Sequence, residues 1–153
     1  MEVYGSADLW GPKRQEIVDW PKVSKTNSAI TYCGKQAKEE LARAYNRAAL
    51  CIVPSRVPEG MSRVSLEAQS CGCPVIGGDE SGMTEAIIPG ETGLLISEIT
   101  AEKLARGITA MIDDKKKLQW MSSRTARFAH NFSVARVIQS YIEIIEQNKV
   151  KSG

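Results

Sequence analysis

The residues best suited to chemistry lie in a polar loop, Ser55–Arg63, and in the helix predicted to follow it. The loop offers backbone amides, a hydroxyl and two arginines directly after an apolar strand. Glu59 on the loop and Glu67 on the helix are eight residues apart, so their carboxylates could reach different hydroxyls of one ligand. Because unpaired N–H groups and the helix dipole favour anions at a helix start, this pattern indicates a phosphate-bearing small molecule. An ordinary loop that enters a helix is the open alternative.

Strands and helices alternate along the chain that must position this loop. Strands are predicted at Glu2–Gly5, Ala29–Cys33, Leu50–Pro54, Pro74–Gly77 and Gly93–Ile96. Helices are predicted at Pro12–Trp20 (ending at Pro21), Gln36–Ala49, Ser62–Cys71, Gly82–Ile88, from the N-cap Thr100 onwards, Lys115–Phe128 and Ser133–Gln147. Strands this apolar are typical of burial on both faces, which we expect for Leu50–Pro54. The alternation predicts an α/β protein with a doubly wound parallel sheet.

Length and composition narrow the class of protein. The 153 residues suffice for one domain with its own core, and we expect residues 1–153 to form a single domain. A formal charge of +2 argues against nucleic acid as a partner. No apolar run is long enough to span a bilayer, and no signal-peptide pattern follows Met1, so the sequence predicts a cytoplasmic protein.

Two segments rich in lysine and one that contains two cysteines each have a structural and a functional interpretation. Lys115–Lys117 and Lys149–Lys151 are most simply solvated helix ends, because three lysines are too few to favour binding to anionic lipid. Cys71-Gly72-Cys73 is expected to form a tight turn between helix and strand. A metal site there would need further ligands, but His130 is the only histidine, so we predict no metal site.

The motif that identifies a family begins at Pro58. The run PEGMSRVSLE, continuing as AQSCGCPVIGGDESGMTEAIIPGETGLLI, resembles the signature block of the retaining glycosyltransferases of family 4, which have the GT-B fold. It contains two glutamates separated by seven residues, a small-residue turn before Pro-Val-Ile, and the runs Ser-Gly-Met-Thr-Glu and Gly-Glu-Thr-Gly-Leu. ELARAYNRAALCIVPS upstream and NFSVARVIQSYIEII downstream extend the similarity over nearly the whole chain.

The resemblance implies a role for each matching position. Glu59 would lie against the donor sugar and its departing phosphate as the catalytic residue, and Glu67 would hold the ribose hydroxyls. Lys35 lies in a turn that resembles the base-contacting turn. Backbone amides for the sugar and diphosphate would come from Gly60, Met61, Ser62, Arg63 and Val64.

Each of these assignments has a structural alternative. Glu67 could only cap a helix or form a salt bridge, and Lys35 and Arg63 could be solvated charges. The family commonly has Phe-Gly before an aliphatic residue where this chain has Met61-Ser62-Arg63, so side chains stand where the backbone usually approaches the sugar. The sequence therefore leaves the donor open.

The implied activity is transfer of a sugar from a nucleoside-diphosphate sugar to an acceptor hydroxyl, with retention, without a cofactor and without an obligatory metal. The resemblance also implies an earlier strand–helix unit and an acceptor domain that these residues do not include. We therefore expect a Rossmann-like parallel sheet, flanked by helices, that lacks its first strand. Glu2–Gly5 and Leu50–Pro54 would keep open edges, pair with each other, or pair with a second copy of the chain, giving a rearranged sheet or a dimer.

Two further functions remain open from the sequence besides this transfer. Under the first interpretation, the chain by itself is expected to bind a nucleotide sugar weakly and to transfer nothing. Its partner would then be the missing acceptor domain or a second copy. The alternative is a non-catalytic binding or assembly module, or one half of a split enzyme. A nucleotide-sugar epimerase is a minor third possibility, because it predicts a histidine-rich site.

Overall fold

The computed structural model describes residues 1–5, 19–55, 60–79 and 81–150. Most of the helix predicted over Pro12–Trp20 lies outside these ranges. The elements within them are β1 (Glu2–Tyr4), α1 (Trp20–Thr26), β2 (Thr31–Gly34), α2 (Lys38–Arg47), β3 (Cys51–Val53), α3 (Arg63–Ser70), β4 (Val75–Gly78), α4 (Ser81–Ala86), β5 (Gly93–Ile96), α5 (Ala101–Asp113), α6 (Lys115–His130) and α7 (Val134–Val150).

The chain divides into two compact units, Met1–Leu41 and Ala42–Gly153. In the first unit, β1 and β2 pair in parallel. Helix α1 is joined to β2 through Ser24, whose hydroxyl donates to the carbonyl of Ile30 at 3.1 Å and accepts from the N–H of Tyr32 at 3.1 Å. These bonds fix the strand that leads to the loop containing Lys35.

Helix α1 corrects one sequence prediction. The sequence predicts that helical structure stops at Pro21, whereas α1 begins at Trp20 and continues through Pro21 to Thr26. Asp19 caps it, because its carboxylate accepts from the N–H of Lys22 at 3.0 Å. Proline is favoured in a first turn, where its missing N–H would have no partner in the helix. Pro21 therefore fits in the first turn of this helix.

The second unit is built on a parallel sheet in the order β3-β4-β5. Cys51 lies opposite Val75, and Val75 lies opposite Gly93. The central strand β4 is buried along its whole length. The expectation that Leu50–Pro54 is buried on both faces is wrong for β3, which is half-buried, because within its sheet it pairs with β4 alone.

A hydrophobic cluster covers each face of this sheet. Odd-numbered strand residues such as Val75 face Ala68 from α3, Met83 from α4, and Ile87 directly after α4. Even-numbered residues face α5 and α6, and the buried members of this second cluster are Ile76, Ile96, Met111 and Met121. Helices therefore flank the parallel sheet on both faces, and the predicted α/β class is confirmed.

Strands β1 and β3 do not pair with each other within the ranges that the structure describes. β1 belongs to a two-stranded sheet and β3 is an edge strand of the three-stranded sheet. Open edges left by a missing strand stay a prediction. Dimerisation and the single-domain organisation remain predictions.

Helix α7 follows α6 and buries little of its apolar surface. Seven of its large apolar side chains are exposed, namely Val134, Val137, Ile138, Tyr141, Ile142, Ile144 and Ile145. None of the helices in the described ranges is both long enough and apolar enough to cross a membrane.

Replacing Ile76 with alanine tests the buried core. Ile76 has no exposed surface and packs against Ile96, Met111 and Met121. Because Ile76→Ala leaves a cavity there, we expect the free energy of unfolding in urea to fall by about 2–5 kcal/mol. The matched control is Ile144→Ala, at a side chain that is 54% exposed, which should change it by no more than about 0.5 kcal/mol. Equal losses in the two variants would contradict this packing.

Candidate functional site

The site predicted from the sequence is organised by the first turn of α3. Ser62 is the N-cap, and its hydroxyl oxygen accepts from the N–H of Ser65 at 3.3 Å and from the hydroxyl of Ser65 at 3.0 Å. The N–H groups of Arg63 and Val64 belong to the first turn, where a helix has no acceptor for them. The cap therefore leaves amide donors directed out of the helix start, as an anion requires.

The predicted binding residues differ in what they present to a ligand. Ser62 is buried and its hydroxyl is used by the cap, so it shapes the turn. Glu67 is exposed, and its carboxylate has no hydrogen-bond partner among the described residues. The remaining predicted residues of this segment, which are all exposed, are Gly60, Met61, Arg63 and Val64.

Two predicted site residues cannot be placed together with this turn. Glu59 lies outside the described residues. Lys35 is exposed and follows β2 in the first compact unit, whereas α3 belongs to the second. The structure thus describes six of the residues predicted to bind substrate in one segment, Gly60–Glu67.

Gly82, in the first turn of α4, lies against the loop that follows β3. A Cβ atom built on Gly82 would overlap the carbonyl group of Gly60 and lie 2.5 Å from the backbone nitrogen of Met61. Glycine is therefore the one residue that fits at this contact without displacing backbone. The carboxyl ends of β3 and β4 meet here, as expected of a ligand site in a parallel α/β sheet.

Helices α3 and α4 are also joined by buried polar side chains. Gln69 is fully buried, and its amide donates to the carbonyl of Ala86 at 2.6 Å and to that of Ser65 at 3.2 Å. The hydroxyl of Ser65 lies 3.1 Å from the sulfur of Met83. These contacts hold the two loops at a fixed separation.

Tyr45 and two thiols lie on the sheet face covered by α3. Burial, followed by the nearby Cys51 and Glu67, raises the pKa of Tyr45 to about 12. Burial raises the pKa of Cys51 to about 11, and burial together with Cys51 and Cys71 raises that of Cys73 to about 12. Both thiols therefore stay protonated at neutral pH and behave as small apolar groups.

The segment Cys71-Gly72-Cys73 is the predicted turn between helix and strand. Cys71 is the C-cap of α3, and Gly72 adopts a positive φ of 78°. The hydroxyl of Ser122 in α6 donates to the carbonyl of Gly72 at 2.7 Å. Across the described part of the chain, no group of three or more His, Cys, Asp or Glu could hold a metal ion.

Sequence reasoning gave no role to Gly82, Gln69 or Tyr45. For Gly82 a signal exists, because a glycine at the start of a short helix needs a reason to be there. Gln69 and Tyr45 give no such signal, because their importance comes from contacts between segments far apart in the sequence.

The fold defines a class of protein: an open parallel α/β domain, a class whose members bind ligands at the carboxyl ends of their strands. The family model Glycosyl transferases group 1 matches residues 3–128. The chain therefore belongs to the glycosyl transferases of group 1.

Curated relatives agree with this family. The chain is 34% identical over 114 residues to a D-inositol 3-phosphate glycosyltransferase of Rhodococcus erythropolis, a match that covers 74% of this chain and 26% of the relative. It is 33% identical over 143 residues to the protein of the same name in an Arthrobacter species, covering 91% of this chain and 34% of the relative. The chain thus spans between a quarter and a third of the length of these relatives.

Solved structures share the fold. HepE of Anabaena in complex with UDP matches with a TM-score of 0.81 and 24% identity, over 95% of this chain and 40% of that protein. Sucrose-phosphate synthase of Thermosynechococcus elongatus matches with a TM-score of 0.75 and 23% identity, over 99% of this chain and 39% of that protein. The predicted GT-B type of domain is confirmed by the family and these folds.

The contact between Gly82 and Gly60 can be tested by comparing an alanine substitution at each glycine. Gly82→Ala places a methyl group against the backbone of Gly60 and Met61, so we expect it to lower the free energy of unfolding by about 1–3 kcal/mol. Gly60→Ala is the matched control, because a Cβ there meets no atom within 4 Å. Urea unfolding of both variants measures the difference, and a Gly82→Ala protein as stable as Gly60→Ala would refute the contact.

The buried thiol of Cys73 predicts a dependence of stability on pH. In the unfolded chain the thiol ionises near pH 8.5–9, whereas in the folded chain it keeps its proton up to about pH 12. The folded state then binds more protons, so this group lowers the free energy of unfolding as pH rises above about 9.

Cys73→Ala removes this contribution. Between about pH 9.5 and 11, the variant's free energy of unfolding should fall less steeply than the parent's, by up to about 1.4 kcal/mol per pH unit. Urea titrations at several pH values measure it, and between pH 6 and 8 the difference between the two proteins should be constant. Parallel slopes above pH 9.5 would show that the thiol is not protected.

Proposed function

We propose that this chain is the donor-binding part of a retaining glycosyltransferase of family 4, and that it holds a nucleoside-diphosphate sugar at the start of α3. The observation that carries the proposal is the exposed first turn of α3, which offers the amides of Arg63 and Val64 one turn before the exposed carboxylate of Glu67. Donors and an acceptor-only group then face solvent within about two helical turns.

The roles follow from the chemistry of each group. Amides of Gly60–Val64 donate to the diphosphate and sugar, where a helix start stabilises negative charge. The Glu67 carboxylate accepts from the two hydroxyls of a ribose, which suits a group with two acceptor oxygens. Glu59 lies against the donor sugar in this proposal.

Transfer depends on stabilising the departing nucleoside diphosphate. As the bond between the anomeric carbon and phosphate oxygen breaks, negative charge grows on the diphosphate. Fixed amide donors stabilise that charge without reorganising, and such donors contribute a large part of the rate. The proposed reaction needs no cofactor and no obligatory metal.

Uridine nucleotides are the first donors to test. HepE, which shares the fold, has been solved with UDP and with UDP-glucose. The proposed acceptor is a hydroxyl of a small sugar or polyol, in keeping with the name of the relatives, D-inositol 3-phosphate glycosyltransferase. A cytoplasmic location is part of the proposal, and the free thiols of Cys33, Cys51, Cys71 and Cys73 support it.

The 153 residues are proposed to bind the donor and to transfer nothing by themselves. Their match covers 26% of the Rhodococcus erythropolis relative, so most of that relative's length has no counterpart in them. Binding is therefore the property to measure on this chain.

A second candidate function is a non-catalytic assembly module. The exposed apolar side chains of α7 favour it, because contiguous apolar surface of this kind marks interaction sites. The partner would be an acceptor domain or a second copy of the chain.

Glu67→Gln tests the donor site. The substitution weakens acceptance from the two ribose hydroxyls, so we expect the affinity for the best-bound of UDP, GDP, ADP and TDP to fall about 10- to 100-fold. Isothermal titration calorimetry on the 153-residue chain measures this. Glu143→Gln on α7 is the matched control. Its affinity for the same nucleotide should stay within about twofold of the parent's, because surface substitutions away from a site have small effects.

Other outcomes separate the two candidates. Equal affinity in the Glu67 and Glu143 variants would remove Glu67 from the site. A folded chain that binds none of the four nucleotides, yet self-associates in sedimentation experiments, would favour the assembly module. Transfer of a sugar by the isolated chain would contradict the proposal that it only binds the donor.

A further inference from the structure

Helix α6 carries a net positive charge, whereas the rest of the chain does not. Lys115–His130 contains five of the 20 lysines and arginines and none of the 18 aspartates and glutamates. The whole chain has a formal charge of only +2. The other 15 lysines and arginines are outnumbered by the 18 aspartates and glutamates, so the remainder of the chain is net acidic and the net positive charge comes from this helix.

The structure places most of these cations on one side of α6. Met121, Thr125 and Ala129 are buried, and the helix packs against α3 and α5. The opposite side carries exposed residues that are brought together by the helical repeat. We call this set the basic face, and it consists of Lys116, Lys117, Trp120, Arg124 and Arg127.

Trp120 lies in the middle of the basic face and is 46% exposed. The guanidinium of Arg124 lies 5.0 Å from the centre of its ring and also bonds the carboxylate of Glu91 at 2.6 Å. Arg124 therefore holds the indole in place while leaving part of it in solvent. Just before the helix, Ile112 is also exposed.

We propose that the basic face of α6 binds the surface of an anionic phospholipid bilayer. The lysines and arginines would lie at the level of the lipid phosphates, where each cation adds to the attraction. Trp120 would enter the boundary between headgroups and acyl chains, which suits a ring with an apolar body and one N–H. Three lysines in sequence are too few for this, but the helix adds two arginines and a tryptophan to the same side.

Two observations favour a bilayer over a nucleic acid as the occupant. Arg124 covers one side of the Trp120 ring, which restricts the stacking on which binding of single strands depends. Ile112 near the end of α5 is a further exposed aliphatic side chain, and such side chains gain free energy in a lipid headgroup region but have no counterpart in phosphate binding. Two carboxylates, those of Asp113 and Asp114, adjoin the start of the helix. That of Asp114 accepts a hydrogen bond from the N–H of Lys117 as the N-cap.

Vesicle cosedimentation with the 153-residue chain tests this proposal. The chain should bind vesicles of equal phosphatidylglycerol and phosphatidylcholine, and should not bind phosphatidylcholine alone. The triple variant Lys116→Gln/Lys117→Gln/Arg127→Gln should lose roughly 100-fold in affinity, about fivefold for each cation. The matched control Lys22→Gln/Lys25→Gln/Lys38→Gln removes three exposed cations outside α6 and should stay within about threefold of the parent, because it leaves the basic face intact and other exposed charges are screened by salt.

A second variant separates the bilayer from other polyanions. Trp120→Gln keeps every cation and should bind anionic vesicles several times more weakly, while its binding to a single-stranded RNA oligonucleotide stays as weak as the parent's. Thermal unfolding shows whether each variant is folded. Equal losses in the two triple variants, absence of binding to the anionic vesicles, or tighter binding to the RNA than to the vesicles would each overturn the proposal.

Discussion

The burial of β4 on both faces is the constraint on which the rest of the second unit depends. A parallel strand with no exposed side chain needs helices above and below it, and here α3 with α4 cover one face while α5 with α6 cover the other. The crossovers that supply those helices bring the loops after β3 and β4 to the same edge of the sheet. The candidate donor site is a result of how this strand is covered.

Local chemistry determined which features could be predicted from the sequence. Ser62 and Thr100 cap α3 and α5 as predicted, because a hydroxyl three residues before an N–H is a short-range relation. The family resemblance rested on the same short runs, and a match over residues 3–128 confirms that the chain belongs to the glycosyl transferases of group 1. Pro21 misled because proline either ends a helix or starts one, and periodicity alone does not distinguish the two.

Contacts between distant segments could not be predicted in this way. The fit of Gly82 against Gly60 and the bond from Gln69 to Ala86 join residues 22 and 17 positions apart. Such contacts follow from how loops and helices meet in space, and one sequence does not contain that information. The half-buried state of β3 has the same origin, because burial of an edge strand depends on what lies beside it rather than on its own residues.

Helix α3 connects two distant regions of the second unit. Its first turn forms the candidate donor site, and at its other end Gly72 accepts a hydrogen bond from Ser122 of α6. Eight residues make a rod about 12 Å long, and Gln69 clamps that rod to α4 partway along. A rod so short transmits a tilt at one end almost undiminished to the other. A displacement of α6 at Gly72 would therefore change the direction of the amides at the candidate donor site.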